Sequence, residues 1–259
     1  MRWVLGVDLA SARDYSAMCL VERVQIKTGE REYHDGKAIQ IEDKYETELH
    51  VRNVRRLPRT YSYLDVARHI RMAVEHPSVA GDIKVVVDVN GPGRPVVHLL
   101  REEGLHVLPV CATGGRNEAL SKDQTGIETY NVAKKILVFD TVVAFQNARL
   151  LVSEELQHKD LLIRELNTYK MKMTGAGNET FSAWHERDHD DLVSALTLCV
   201  WFCNRYPKRG WQVSKHKKNH PDIKKILVRE DELRMENAAS KLATVENERL
   251  LRQKYGRYM

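Results

Sequence analysis

The chain has 259 residues, 42% of them hydrophobic and 30% charged, with a formal net charge of +5. That is enough apolar material for one large domain, or for a domain of about 200 residues with an appendage, and it excludes a disordered polyelectrolyte. No apolar run approaches the ~18 residues of a membrane span, and the N-terminus reads straight into a strand rather than a cleavable signal, so a cytoplasmic protein is expected.

The first predicted element is a short apolar strand, Trp3 to Asp8, whose last residue is acidic. A second strand is read from Ser16 to Lys27, with turns at Gly29 and Asp35-Gly36. The alternations Ile39/Ile41 and Leu49/Val51 predict a third strand between Ala38 and Val54. Apolar residues at helical spacing from Tyr61 to His76 predict a helix that Pro77 stops. Ile83 to Val89 is a β-branched run of the kind covered on both faces, and it contains Asp88. A Gly91-Pro92-Gly93 turn, a helix to Glu103 and a fifth strand, Leu105 to Val110, follow. Beyond Gly114-Gly115 we expect an irregular polar segment, a helix from Thr129 to Asn147, and a hairpin-like Leu150-Leu151-Val152. A helix from Leu156 to Lys170 and a loop or β-hairpin over Lys172 to Phe181 come next. Asp188 to Asn204 is apolar on nearly every side, which predicts a buried helix.

After Pro207 the composition changes. Residues 1–206 read as one α/β domain, and 207–259 as a basic linker with a charged tail helix carrying a thin stripe of Met235, Ala238, Leu242 and Val245. The expected architecture is a mixed five-stranded sheet, order 3-2-1-4-5, flanked by helices. Cys199 and Cys203 share a face of an apolar helix with no second Cys or His pair nearby, so they read as small core residues rather than zinc ligands. Two basic clusters are candidates for attracting a polyanion. Residues 205–225 hold eight Lys or Arg against one acid, and Arg52 to Arg59 hold four Arg and no acid. A solvated surface is the plainer reading of either.

In the 3-2-1-4-5 order the first and fourth strands are neighbours, about 4.8 Å apart, so Asp8 and Asp88 end side by side. Asp190 and Asp191 open the buried helix, which is able to pack on the sheet and bring them to the same point. Such residues also have ordinary structural uses: a strand-end Asp bonds turn amides, and an Asp at a helix start caps it or favours its dipole. Gathered together, however, carboxylates raise one another's pKa. Mg²⁺ or Mn²⁺, which take oxygen ligands and share them with phosphates, relieve that conflict. Two such ions about 4 Å apart support hydrolysis of a phosphodiester.

Three segments resemble motifs of one family: Gly6-Val7-Asp8-Leu9-Ala10, Val86-Val87-Asp88-Val89-Asn90-Gly91-Pro92-Gly93 and His189-Asp190-Asp191-Leu192-Val193-Ser194-Ala195-Leu196. They are similar to the nuclease domain of phage large terminases, and Leu108-Pro109-Val110, Lys134 to Val138, Leu162 to Leu166 and Thr180 to Ala183 are similar too. The resemblance spans about residues 3–205. It implies a ribonuclease H-like, resolvase-like endonuclease that cuts double-stranded DNA during viral genome packaging, with two Mg²⁺ or Mn²⁺ ions. It makes Asp8 the bridging ligand, Asp88 the ligand of one ion, and Asp191 or Asp190 the ligand of the other. Asp191 is favoured because it directly precedes the apolar run, and Asp188 is a weaker candidate. Products would carry 5′-phosphate and 3′-hydroxyl ends.

Candidate DNA contacts are Arg13, Arg94, Arg116, Lys122, Lys170 and Lys172. His185 and His189 are candidates for proton transfer, and Trp184 and Trp211 for stacking. No phosphate-binding G-x-x-x-x-G-K-[ST] is present, so these residues read as an excised domain, one half of a split terminase or a free-standing relative; the resemblance makes double-stranded DNA the expected partner, with a separate packaging ATPase, a small terminase or a portal as further candidates. Two other readings remain: a non-catalytic DNA-binding or assembly module that uses 205–225 and the tail, and an actin-like ATPase or sugar kinase, for which the chain is short.

Overall fold

The structure is a computed structural model that describes residues 1–9, 15–34, 39–91, 93–124, 126–173, 179–183 and 190–206. Strand β1 (Trp3–Asp8) is buried over its first five residues, as a strand covered on both faces requires. It pairs antiparallel with β2 (Ala17–His34), which pairs antiparallel with β3 (Ile39–Arg56). On its other side β1 runs parallel to β4 (Ile83–Asp88), and β4 runs parallel to β5 (Val107–Thr113). This is the expected 3-2-1-4-5 order.

The sheet is wider than five strands. Among the described residues it has eight, with β6 (Glu118–Lys122) and β7 (Glu128–Ala133) added beyond β5, and β8 (Leu150–Val152) beyond β3. β7 is parallel to β5, and β6 is antiparallel to β7. The segment after Gly114-Gly115 is therefore a bend and a hairpin. The helix expected from Thr129 begins only at Lys134, because Thr129, Tyr130 and Val132 are strand formers and β5 offers them a ladder. Likewise β2 does not end at Lys27: it runs on to His34, with a register shift between Lys27 and Gly29. Gly29 marks a bulge, not a turn. Leu150–Val152 makes no hairpin of its own and runs parallel to β3.

Helices α1 (Tyr63–Glu75) and α2 (Gly93–Glu102) pack on each other, and α2 lies on β4 and β5. A capping box between Ser62 and Asp65 starts α1. Helix α3 (Lys134–Gln146) and α4 (Lys159–Thr168) flank α5 (Asp191–Arg205), which lies across β1 and β2. Twelve of the residues of α5 are buried, so the helix is apolar all round because protein surrounds it. The separate hairpin of β9 (Tyr169–Met173) and β10 (Glu179–Ala183) bears out the hairpin reading of that stretch, while α4 ends earlier than expected. Cys19, Cys199 and Cys203 are buried in the core. Among the described residues no helix is long and apolar enough to cross a membrane. The proposed tail, 207–259, lies outside the described residues.

Gly6 sets how closely α5 approaches the sheet. A Cβ there would stand 2.0 Å from the Ala195 carbonyl oxygen and 2.8 Å from Cys199 Sγ. Strand residues alternate between faces, so Val4, Gly6 and Asp8 share the face that α5 covers. Val86, in the same core as α5, puts Asp88 on that face by the same rule. One helical turn before Ala195 stands Asp191.

Candidate metal centre

Strands β1, β4, β5 and β7 are mutually parallel, so Asp8, Asp88, Thr113 and Ala133 all lie at one end of the sheet. Asp8 and Asp88 each directly follow Val7 and Val87, the last pair of the β1–β4 ladder. Burial pushes the Asp8 carboxyl well above its ordinary range, and the negative charges of Asp88, Asp191 and Asp190 push it further. Lys134 acts in the other direction. The four aspartates thus lie near enough for Asp8 to feel the charge of the other three, with Asp8 and Asp88 at strand ends and Asp190 and Asp191 at the start of α5.

Asp88 is held by the turn that follows it. The Asn90 amide N–H donates to Asp88 Oδ1 at 2.9 Å, and Asn90 Nδ2 donates to the Ala112 carbonyl at 2.9 Å. Burial raises the Asp88 pKa, while bonds from Asn90 and the charge of Lys134 restrain the rise. Gly91, with φ +61°, makes the turn possible without a side-chain clash. Lys134 opens α3 directly after β7, and its Nζ lies 3.6 Å from Asp190 Oδ2.

Asp191 is 6% exposed and stands 3.5 Å from Arg56 Nε through its Oδ2. Arg56 ends β3, in register with Ala17, which is itself in register with Asp8. Its Nη2 lies 2.6 Å from Glu165 Oε1, and Glu165 is 3% exposed on α4. Burial raises the Glu165 pKa against the pull of Arg56 and of two amides.

Among the described residues no three His, Cys, Asp or Glu side chains form a ready-made ion cage. Lys134 and Arg56 are cations that stand beside the carboxylates. The donor set nevertheless suits a hard cation: carboxylate oxygens only, crowded and partly desolvated. Mg²⁺ is usually held by one or two carboxylates, several waters and substrate phosphates rather than by an all-protein cage.

The expected DNA contacts divide. Arg116 is exposed in the bend after β5, at the carboxylate end of the sheet. Lys122 is exposed too, but it closes β6, which runs antiparallel to β7 and so ends at the opposite end. It does not belong to this site. Arg94 lies in the first turn of α2, and Lys170 and Lys172 lie on β9 opposite Ser182 and Thr180. The side chains of these three, and all of Arg13, Trp184, His185, Asp188, His189 and Trp211, lie outside the described residues. Of the arginines at 52–59, Arg55 is buried and Arg56 is half-buried against Glu165, while Arg52, paired with Glu22, and Arg59 are exposed, so the cluster is split between core and surface. Arg59 lies over the Tyr15 ring at 4.2 Å.

Sequence reasoning assigned no site role to Arg56, Lys134, Asn90 or Glu165, although Asn90, Lys134 and Glu165 fall in segments that resemble the terminase nuclease. Glu165 left a trace: it sits on the buried stripe of α4 with Leu162, where an apolar residue is the ordinary choice. Lys134 was hidden inside a helix predicted to start too early.

No family model matches the chain, and no curated protein matches it. Solved structures do. The large terminase nuclease from the thermophilic phage G20c aligns over 79% of this chain and 82% of its own, at 18% identity and a TM-score of 0.50. The large terminase nuclease domain of Thermus phage P74-26 covers 82% and 83%, at 17% identity and a TM-score of 0.47. A manganese-soaked human cytomegalovirus terminase nuclease domain covers 77% and 82%, at 14% identity and a TM-score of 0.46. By its sheet order and by the G20c alignment, the chain has the ribonuclease H-like fold of the large terminase nuclease.

Proposed function

We propose that the protein is a divalent-metal-dependent endonuclease that cuts double-stranded DNA, of the kind found in large terminases. The observation that carries the reading is the convergence of Asp8, Asp88, Asp190 and Asp191, with burial and mutual repulsion raising the Asp8 pKa. A chain keeps such an arrangement at a cost to stability, and a cation offsets the cost. Asp8, at the centre of the group, is the candidate for sharing two ions. Asp88 is the ligand of one, and Asp191 or Asp190 the ligand of the other.

Bound Mg²⁺ or Mn²⁺ would supply Lewis-acid stabilisation of charge on the phosphodiester. The chain's own residues supply placement. Asn90 fixes the Asp88 carboxylate, and Lys134 offsets negative charge at the centre. Hydrolysis adds the oxygen of water to phosphorus and breaks the P–O3′ bond, leaving 5′-phosphate and 3′-hydroxyl ends. A nuclease of this kind acts in the cytoplasm of an infected host, beside a packaging ATPase, a small terminase and a portal.

The expected result is cleavage of plasmid DNA in Mg²⁺ or Mn²⁺, stopped by EDTA. Asp8→Asn should lower the rate by more than the roughly 10- to 100-fold usual for residues that only support a ligand. Wild-type cutting rates in Asp8→Asn would end this assignment. The absence of a ready-made cage among the described residues favours the second reading, a non-catalytic DNA-binding or assembly module. Salt-sensitive DNA binding with no metal-dependent cutting would decide for it.

A further inference from the structure

The start of α5 must satisfy two demands at once. Its first amide N–H groups need acceptors, and an N-terminal Asp side chain is the usual one. An Asp that folds back onto those amides is lost to a site outside the helix. Here the residue at the cap position, Asp190, makes no side-chain capping bond. The acceptor comes from another helix. Glu165 Oε2 accepts from the Leu192 amide at 2.9 Å and from the Val193 amide at 3.1 Å.

The other oxygen of Glu165 is also engaged. Arg56 Nη2 donates to Oε1 at 2.6 Å, and Arg56 Nε lies 3.5 Å from Asp191 Oδ2. A continuous tie therefore runs from the end of β3, through Arg56 and Glu165, to the first turn of α5. Arg56 is in the same cross-strand row as Asp8. The tie thus connects the two halves of the aspartate group, the sheet end and the helix end.

We propose that Glu165, held by Arg56, is a positioning residue: it caps α5 in place of Asp190, with Asp190 and Asp191 standing at the helix start beside Asp8 and Asp88. This rests on the metal reading above. A buried glutamate is an expensive cap, and Gln or Ser would close a helix at less cost. What glutamate adds is two oxygens, one for the helix amides and one for the arginine anchored in the sheet. Asparagine or aspartate at the helix start would satisfy the amides without linking α5 to β3.

The test uses the full chain and Mn²⁺ alone as probe, with its affinity measured by titration calorimetry. Glu165→Ala should weaken Mn²⁺ binding about 10- to 100-fold, the usual effect of losing a residue that orients a ligand. Glu165→Gln keeps an oxygen for the two amides but turns an NH2 donor on Arg56, so it should recover only part of that loss. Ile70→Ala, on the buried face of α1 and outside the apolar cluster that holds α5, controls for lowered stability. Wild-type Mn²⁺ affinity in Glu165→Ala overturns the proposal. So does an equal loss in Ile70→Ala.

Hydrogen exchange at Leu192 and Val193, followed without metal, separates this inference from the nuclease reading. If the wild-type chain binds no Mn²⁺, the metal reading fails by itself. Faster exchange of these two amides in Glu165→Ala then still supports the tie, and unchanged exchange overturns it.

Discussion

At Asp8, burial and three neighbouring carboxylates act in one direction and Lys134 acts in the other, and the carboxyl pKa ends well above its ordinary value. The folded chain therefore binds a proton at Asp8 more tightly than the unfolded chain does. Below pH ~4 both states are protonated and the difference has no effect on stability. As pH rises from that ordinary value toward the raised folded one, the unfolded chain ionises first and folding increasingly carries the penalty, which is complete above the folded value. Asp8→Asn removes the charge and nearly keeps the shape. In EDTA at pH 7 it should melt above wild type. A tenfold difference in proton affinity between the two states is worth about 1.4 kcal/mol, and each kcal/mol moves the melting temperature by about 2–4 °C in a domain of this size. The gap should close as the pH falls to ~4, and Mn²⁺ should raise the melting temperature of wild type but not of Asp8→Asn. Calorimetric scans at pH 4 and pH 7 check both. A variant no more stable than wild type at pH 7 would mean that the crowding of aspartates carries no cost.

Between β1 and α5 the contact depends on an absent side chain. A Cβ on Gly6 meets the backbone of Ala195, which cannot rotate away, and the Cys199 sulfur. Gly6→Ala should therefore cost about 3 kcal/mol, at the upper end for overpacking, and should lift the helix that carries Asp191. Gly29→Ala, with open space around it, should stay within about 0.5 kcal/mol of wild type. Urea titrations of the two variants test the contrast, and equal stabilities would show that α5 is not seated through Gly6. That dependence was not legible in the sequence, because a glycine in an apolar strand looks the same whether or not a helix presses on it. What was legible had a local cause. The apolar runs ending in Asp8 and Asp88, and the helix apolar on all sides, follow from burial on every face. The continuation of β2 past Gly29 and the strand ahead of Lys134 depend on partner strands, which overrule local signals. Glu165 depends on packing between helices that no residue spacing reports.

Across the whole molecule, the parallel strands give the sheet a polarity, and open α/β sheets bind ligands at the carboxyl ends of their strands. All four aspartates, Lys134 and the Arg116 bend lie at that end, while Lys122 lies at the other because β6 runs back along β7. The sequence offered Arg116 and Lys122 as equals, since their difference depends on the direction of a strand that it did not reveal. DNA cut at the aspartates must pass over their end of the sheet. Arg116→Ala should therefore weaken binding of a short duplex in EDTA and reduce the salt slope by about 0.9, the share of one phosphate contact. Lys122→Ala should change neither. Fluorescence anisotropy at several salt concentrations between 50 and 200 mM, roughly the span over which such contacts are read, separates the two variants. If Lys122→Ala lost as much affinity as Arg116→Ala, the duplex would lie along the opposite end of the sheet, beyond reach of Asp8 and Asp88. The aspartates would then have to be explained without DNA.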